Sequence, residues 1–115
     1  MSGRDWRVRI DDIVESIEKI QRFIEGMDFA QFRTDDRTVD AVLHNLMVIG
    51  EAAGRMPQAV VDRHPEIPWS KMRGIRNVVV HEYFGISLDV VWETASSDLP
   101  AVAPALRSLL DEESL

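Results

Sequence analysis

The chain contains no cysteine among its 115 residues. Disulfide bonds, thiolate metal sites, redox pairs and cysteine nucleophiles are therefore excluded, and we expect a protein of the reducing cytoplasm. Long apolar runs are also missing, since runs such as Val78 to Val80 are far shorter than the roughly 20 apolar residues that are needed to cross a bilayer. The charged N-terminus lacks the apolar stretch of a secretion signal. We expect a soluble protein without a membrane partner.

Positive charge is scarce. The chain has 13 Lys and Arg residues against 20 Asp and Glu residues, which gives a formal net charge of -7. This is the wrong sign for generic binding to a polyanion, so any nucleic-acid contact must be local. With 45% apolar and 29% charged residues, the composition is that of a globular protein. We expect residues 1–115 to form one domain.

Apolar residues recur every three or four positions in the first half of the chain, which predicts two amphipathic helices. The first helix carries Ile10, Ile13, Ile17, Ile20, Ile24 and Met27. Residues 29–33 are interpreted as a connection. The second helix, capped by Thr34, Asp35 or Asp36, carries Val39, Val42, Leu43, Leu46, Gly50 and Ala53. It should end near Met56, because Pro57 disfavours the helical conformation before it.

Two glycines in the second helix, Gly50 and Gly54, predict close packing by another backbone or a partner. Each costs about 1 kcal/mol relative to alanine inside a helix, and close approach is a common reason to keep one. We therefore expect tight contacts at both positions.

The second half of the chain predicts further helices. Residues 57–64 are expected to form a short helical turn, and a third helix should run from Pro68 to a left-handed residue at Gly85. Ser87 can cap a fourth helix, which Asp98 and Pro100 restart or kink. Because no partner strand is evident, residues 78–80 are assigned to a helix. The predicted fold is an all-α antiparallel bundle of four main helices plus a short helical turn.

The most informative segment is residues 73–85, where polar residues interrupt an apolar helix. At 3.6 residues per turn they share one broad face. Relative to Arg76, they are Tyr83 at about -20°, Arg73 at about 60°, Asn77 at about 100° and His81 at about 140°. The opposite side is apolar, so the helix can bury one flank and present a site on the other.

These residue types suit cleavage of an RNA phosphodiester. Arginine supplies a fixed cation for phosphate oxygens, and histidine exchanges a proton near neutral pH. Attack by a 2′-hydroxyl group needs a base, an acid and positive charge on the transition state, and one His81 cannot easily serve as both acid and base. A two-fold dimer that joins two copies of this face would supply both roles without metal. The chemistry therefore predicts a homodimer, with no cofactor.

The motif resembles a known family. Arg76, Asn77, His81 and Tyr83 match the pattern of arginine, four residues, histidine, any residue and tyrosine found in HepT toxins of the HEPN superfamily. Residues 45–53 and 67–69 also look like this family. The resemblance implies an all-helical, homodimeric, metal-independent ribonuclease toxin, with catalytic roles that fall on Arg76 and His81; Asn77 would orient phosphate or a histidine.

The same resemblance implies a toxin–antitoxin pair. The partner would be an MntA-like minimal nucleotidyltransferase that adds AMP to the motif tyrosine, here Tyr83, and so blocks the cleft. Arg73 and Lys71 are expected to join Arg76 in a local basic cluster that binds RNA.

Simpler interpretations of single residues remain open. His81 alone is typical of a helix end, and Arg76 alone is typical of a salt bridge. Glu51 either supports Arg76 or is a solvated charge. His64 is expected at the surface, and the histidines show no metal-ligand spacing. Two alternative functions are a non-catalytic helical module that binds nucleotide or a nucleotidyltransferase, and a structural dimer in which Arg76 and Asn77 are buried in mutual hydrogen bonds.

Overall fold

A computed structural model describes the backbone of residues 5–113 and the side chains of residues 5–111. Helices dominate this range and it contains no strand, so the predicted all-α class is confirmed. The α-helices are α1 (Trp6–Ile24), α2 (Phe29–Arg33), α3 (Asp36–Gly54), α4 (Gln58–Arg63), α5 (Trp69–Glu82), α6 (Leu88–Glu93) and α7 (Leu99–Glu113). A 3-10 turn, Tyr83–Gly85, follows α5, and a π turn, Thr94–Asp98, joins α6 to α7.

The first two helices differ from their predicted bounds because side chains cap their ends. Helix α1 begins before Ile10, since the Asp5 carboxylate accepts the Arg7 backbone N–H at 2.8 Å. The connection predicted at 29–33 is wrong: this segment is α2. Its start is held by a reciprocal capping box, in which Asp28 and Gln31 each accept the other's backbone N–H.

Helix α3 begins as predicted, with Asp35 as its cap. The backbone N–H of Thr38 donates to the Asp35 carboxylate at 3.1 Å and holds the pKa of that carboxyl below its usual value. The helix ends at Gly54, short of the predicted Met56. The predicted helical turn at 57–64 is confirmed as α4.

His64 is buried, so its predicted surface position is wrong. Its Nδ1 lies 3.4 Å from a carboxylate oxygen of Glu66, and its backbone carbonyl accepts the indole N–H of Trp69 at 3.0 Å. Because Trp69 is itself buried at the start of α5, this hydrogen bond ties the connection to the helix that carries the motif.

Helix α3 lies at the centre of the bundle, between α1 and α5, and α7 packs on α1. The predicted stripes of α1 and α3 form the core together with side chains from the other long helices. Its largest fully buried side chains are Phe32, Ile10, Ile13, Ile17, Ile20, Ile49, Ile67, Leu106, Leu109, Val42 and Val79. Burial of one apolar stripe per helix is what the sequence periodicity required.

The predicted kink near Pro100 takes the form of a π turn, and the predicted Ser87 cap of α6 is confirmed. Pro100 has no N–H for the ordinary helical hydrogen bond. The turn that precedes it, Thr94–Asp98, is a wider π turn. The N–H of Leu99 bonds to the carbonyl of Thr94, one residue further back than in an α-helix. This leaves the Ala95 carbonyl to accept the side-chain N–H of Gln21 at 2.7 Å, which links α1 to this wide turn.

Helices α3 and α5 cross at main-chain distance at Gly50. A Cβ atom built on Gly50 would lie 2.5 Å from the Cβ of Arg76 and 2.6 Å from its backbone nitrogen, so only glycine fits there. The predicted close approach is confirmed at Gly50 and wrong at Gly54, where nothing lies within 4 Å of a built Cβ. The left-handed conformation predicted for Gly85 is also wrong, because Gly26 alone among the described residues has a positive φ.

We expect Gly50→Ala to destabilise the protein by about 1–3 kcal/mol, because the added methyl group meets the backbone of α5. Gly54→Ala is the matched control in the same helix, and it should be neutral or stabilising by up to about 1 kcal/mol. Urea unfolding followed by far-UV circular dichroism measures both. Equal midpoints for the two variants would contradict the close crossing.

Candidate functional site

Helix α5 presents its polar motif to solvent. Arg76, Asn77 and His81 are all exposed, whereas Met72 and Val79, on the adjoining flank at about -40° and -60° from Arg76, are buried. Among the described residues, no hydrogen-bond partner is assigned to the side chain of Asn77 or His81. Within one protomer Arg76 and Asn77 are therefore not buried in mutual hydrogen bonds, and the interpretation as a purely structural dimer stays a prediction.

Arg76 is held by an ion pair with α3. Its Nε lies 3.3 Å from one carboxylate oxygen of Glu51, and the other oxygen of Glu51 accepts two N–H groups of Arg55 at 3.0 and 3.2 Å. The carboxylate is thus fixed between two guanidinium groups. Because all three side chains are about half exposed, the pair orients Arg76 more than it stabilises the fold. Glu51 therefore lies in the supporting position that the sequence left open.

A groove borders Arg76 on the outer surface of α3. It has a volume of about 340 Å³. Its lining residues are Arg9, Asp12, His44, Met47, Val48, Glu51, Ala52 and Arg76. Sequence reasoning did not assign Arg9, Asp12 or His44 to the site. A signal for His44 was available, because Asp40, His44, Glu51 and Arg55 fall within about 60° on the wheel of α3.

Tyr83 lies outside α5, so its predicted angle from Arg76 does not apply. The chain leaves the regular helix at Glu82, whose φ is -121° and ψ is 20°, and Tyr83 begins the 3-10 turn. The Tyr83 hydroxyl donates to the Asp40 carboxylate of α3 at 3.1 Å. Tyr83 is 43% exposed, and its ring packs edge-on against that of Phe84, with centroids 5.5 Å apart. Tyr83 is therefore accessible and anchored.

The side chains of α3 thus contact α5 at one point and the turn after it at another. Glu51 contacts Arg76 near the C-terminal end of α3, and Asp40 contacts Tyr83 near its N-terminal end. The hydrogen bond from Tyr83 to Asp40, with the negative charge of the carboxylate, raises the pKa of Tyr83 above its usual value. Asp40 was missed because its contact depends on the register between two helices.

The predicted basic cluster is divided between two flanks of α5. Arg73 is exposed, at about 60° from Arg76. Lys71 instead lines an apolar groove of about 260 Å³ between α5 and α6, with Ile75, Val78 and other residues. The structure therefore does not bring Lys71 to Arg76.

Among the described residues, no group of three His, Asp or Glu side chains is arranged to hold a metal ion. In the same part of the chain, no helix is both long enough and apolar enough to cross a membrane.

Comparison with known proteins is consistent with the motif. A family model described as ribonuclease HepT-like matches residues 13–109. The probable ribonuclease HepT of Thermococcus cleftensis is 39% identical over 99 residues, which cover 86% of this chain and 90% of that protein. Two proteins of Methanocaldococcus jannaschii are named as RNases. One is 34% identical over 87% of this chain and 83% of its own length. The other is 31% identical over 97% of this chain and 93% of its own length. No solved structure matches the chain at a significant level.

Tyr83 is the single tyrosine of the chain, so its ionisation can be followed by ultraviolet absorbance. We expect a titration midpoint above that of free tyrosine, and a lower midpoint in Asp40→Asn, because the variant removes the negative charge. As the folded pKa is the higher one, the stabilisation from this bond is complete below about pH 10 and is lost as pH rises through the folded pKa. Identical midpoints in the two proteins would mean that the hydrogen bond is absent in solution.

Proposed function

The chain belongs to the HepT-like ribonuclease family, and we propose that it is a metal-independent endoribonuclease toxin acting as a homodimer. The observation that carries this proposal is the exposed face of α5, where Arg76, Asn77 and His81 lie together while Glu51 holds Arg76. A solvated arginine and histidine on one rigid helix suit a phosphodiester substrate.

In the proposed reaction the RNA strand supplies its own nucleophile. The 2′-oxygen bonds to the adjacent phosphorus and the bond from phosphorus to the 5′-oxygen breaks, leaving a cyclic phosphate and a 5′-hydroxyl group. One His81 takes the proton of the 2′-hydroxyl, and the His81 of the second protomer gives a proton to the leaving oxygen. Arg76 stabilises the extra negative charge on phosphorus, and Asn77 orients the phosphate or a histidine.

Exposed apolar groups near the motif support a dimer that forms through the exposed edge of α5, which carries Arg76 and Val80. Val80 lies at about 40° from Arg76 on the wheel and is 43% exposed, and Phe84 is fully exposed. Large apolar side chains in contact with water favour association. A symmetric contact here would bring two copies of His81 into one cleft.

Regulation is proposed to act at Tyr83. An MntA-like nucleotidyltransferase would transfer AMP to the hydroxyl of this exposed residue in the turn after α5. The added phosphodiester is anionic and bulky, so it would compete with substrate phosphate near the motif. RNA binding would be supported locally by Arg73.

The net charge of -7 favours a second candidate, a non-catalytic module that binds nucleotide or the nucleotidyltransferase. The two candidates differ in their effect on RNA and on growth. Copurification with the transferase without toxicity would favour the second.

Purified protein should cleave RNA in the presence of EDTA. His81→Ala and Arg76→Ala should each lower the rate by about 10²-fold or more, because each removes a proton-transfer or charge-stabilising group. Arg107→Ala removes an exposed arginine that pairs with Glu18 on the far side of the bundle, and it should cleave at the wild-type rate. Equal activity in all four proteins would contradict the proposal, and loss in His44→Ala alone would move the proton role to α3.

A shared cleft also predicts how activity falls when wild-type and His81→Ala subunits are mixed and allowed to exchange. Only dimers with two intact histidines have both proton groups, so the rate should follow the square of the wild-type fraction. Mixtures with Arg107→Ala provide the control and should show no loss. A rate that falls linearly with the wild-type fraction would mean that each protomer acts alone.

A further inference from the structure

We propose that Asp40 positions Tyr83 and accepts its proton when a nucleotide is transferred to this tyrosine. The inference rests on the regulation proposed above and assigns a role to a residue of this chain that the motif does not contain. Its basis is the contact between α3 and the turn after α5.

The geometry meets the requirement for a general base. A base must lie within about 2.6–3.2 Å of the atom whose proton it removes, and Asp40 Oδ1 lies 3.1 Å from the Tyr83 oxygen. No other hydrogen bond is assigned to the Tyr83 hydroxyl among the described residues. Both side chains are exposed, so a second protein can approach the oxygen while the bond is in place.

The tyrosine needs such a base. A phenol at neutral pH holds its proton, and the raised pKa of Tyr83 makes the free phenolate still rarer. A carboxylate already bonded to the proton can remove it as the new bond forms. The same contact holds the oxygen at one place on the surface of the bundle.

The transfer step needs only Tyr83 and Asp40 from this chain. The Tyr83 oxygen bonds to the α-phosphorus of a nucleoside triphosphate, supplied with the transferase, and the bond from that phosphorus to the pyrophosphate oxygen breaks. The phenol proton passes to the Asp40 carboxylate and then to water. Pyrophosphate leaves with the electron pair of the broken bond.

Transfer also changes the resting contact. Once the oxygen carries AMP it has no proton to donate, and the new phosphodiester brings a negative charge close to the Asp40 carboxylate. Like charges repel, so the modified side chain should move away from α3. Asp40 therefore holds the unmodified tyrosine against α3 and repels the modified tyrosine from it.

The test uses the full chain, a purified MntA-like nucleotidyltransferase and α-labelled ATP. At saturating transferase we expect Asp40→Asn to take up label roughly 100-fold more slowly than wild type. Asp40→Glu should recover part of the rate, because it restores a carboxylate. Asp36→Asn removes the same charge one turn earlier on α3, and it should be labelled at the wild-type rate.

The controls separate the outcomes. Far-UV circular dichroism confirms that each variant is folded, and the absorbance titration shows whether the Tyr83 hydroxyl still bonds to residue 40. A lower maximal rate of labelling at an unchanged half-saturating concentration of transferase identifies a role in the transfer step, which a purely structural role in recognition would not give. Labelling of Asp40→Asn at the wild-type rate overturns this inference alone. If wild type takes up no more label than Tyr83→Phe, the proposed regulation fails and this inference fails with it.

Discussion

The close crossing of α3 and α5 at Gly50 is the constraint on which the rest of the site depends. A side chain at that position would collide with the backbone of Arg76, so glycine lets the two helices meet at main-chain distance. The crossing fixes the rotation of α5, because Arg76 starts at the contact and extends along α3 to Glu51. With this rotation, Met72 and Val79 are buried and the outward arc remains for Asn77 and His81.

Helix α3 therefore does more than fill the core. Its inner stripe is buried, and its outer stripe supplies two carboxylates: Glu51 pairs with Arg76 of α5, and Asp40 accepts from Tyr83 in the turn after α5. An acidic chain is poorly suited to attract RNA over its whole surface. These contacts show one way in which acidic residues can hold a cation and a tyrosine in defined positions on the surface of the bundle.

Some of this architecture could be predicted from the sequence. The stripes of α1 and α3 were readable because each helix of a bundle must bury one side, and burial imposes its period on the residues. The α5 motif was readable for a similar reason, since polar residues stand out from an apolar helix. The capping box at Asp28 and Gln31 was overlooked, although its residues were visible, because a single helical turn leaves no period.

Other features depend on neighbours that a single sequence does not reveal. The burial of His64 depends on how the connection packs, and the position of Tyr83 depends on the dihedral angles of one residue, Glu82. The Asp40 contact depends on the register of α5 along α3. A helical wheel contains neither the dihedral angles nor the register. It therefore placed Tyr83 beside Arg76 on a helix that ends one residue before Tyr83.

The central claim is that the exposed edge of α5 meets the same edge of a second copy. Since the chain has no native cysteine, a Val80→Cys variant can carry one spin label per protomer at the middle of that edge. Pulsed electron paramagnetic resonance then measures the distance between the two labels. The account predicts one narrow distance, shorter than the 28 Å middle dimension of the described part of a protomer. The absence of dipolar coupling, or a separation beyond the 44 Å long dimension, would contradict it.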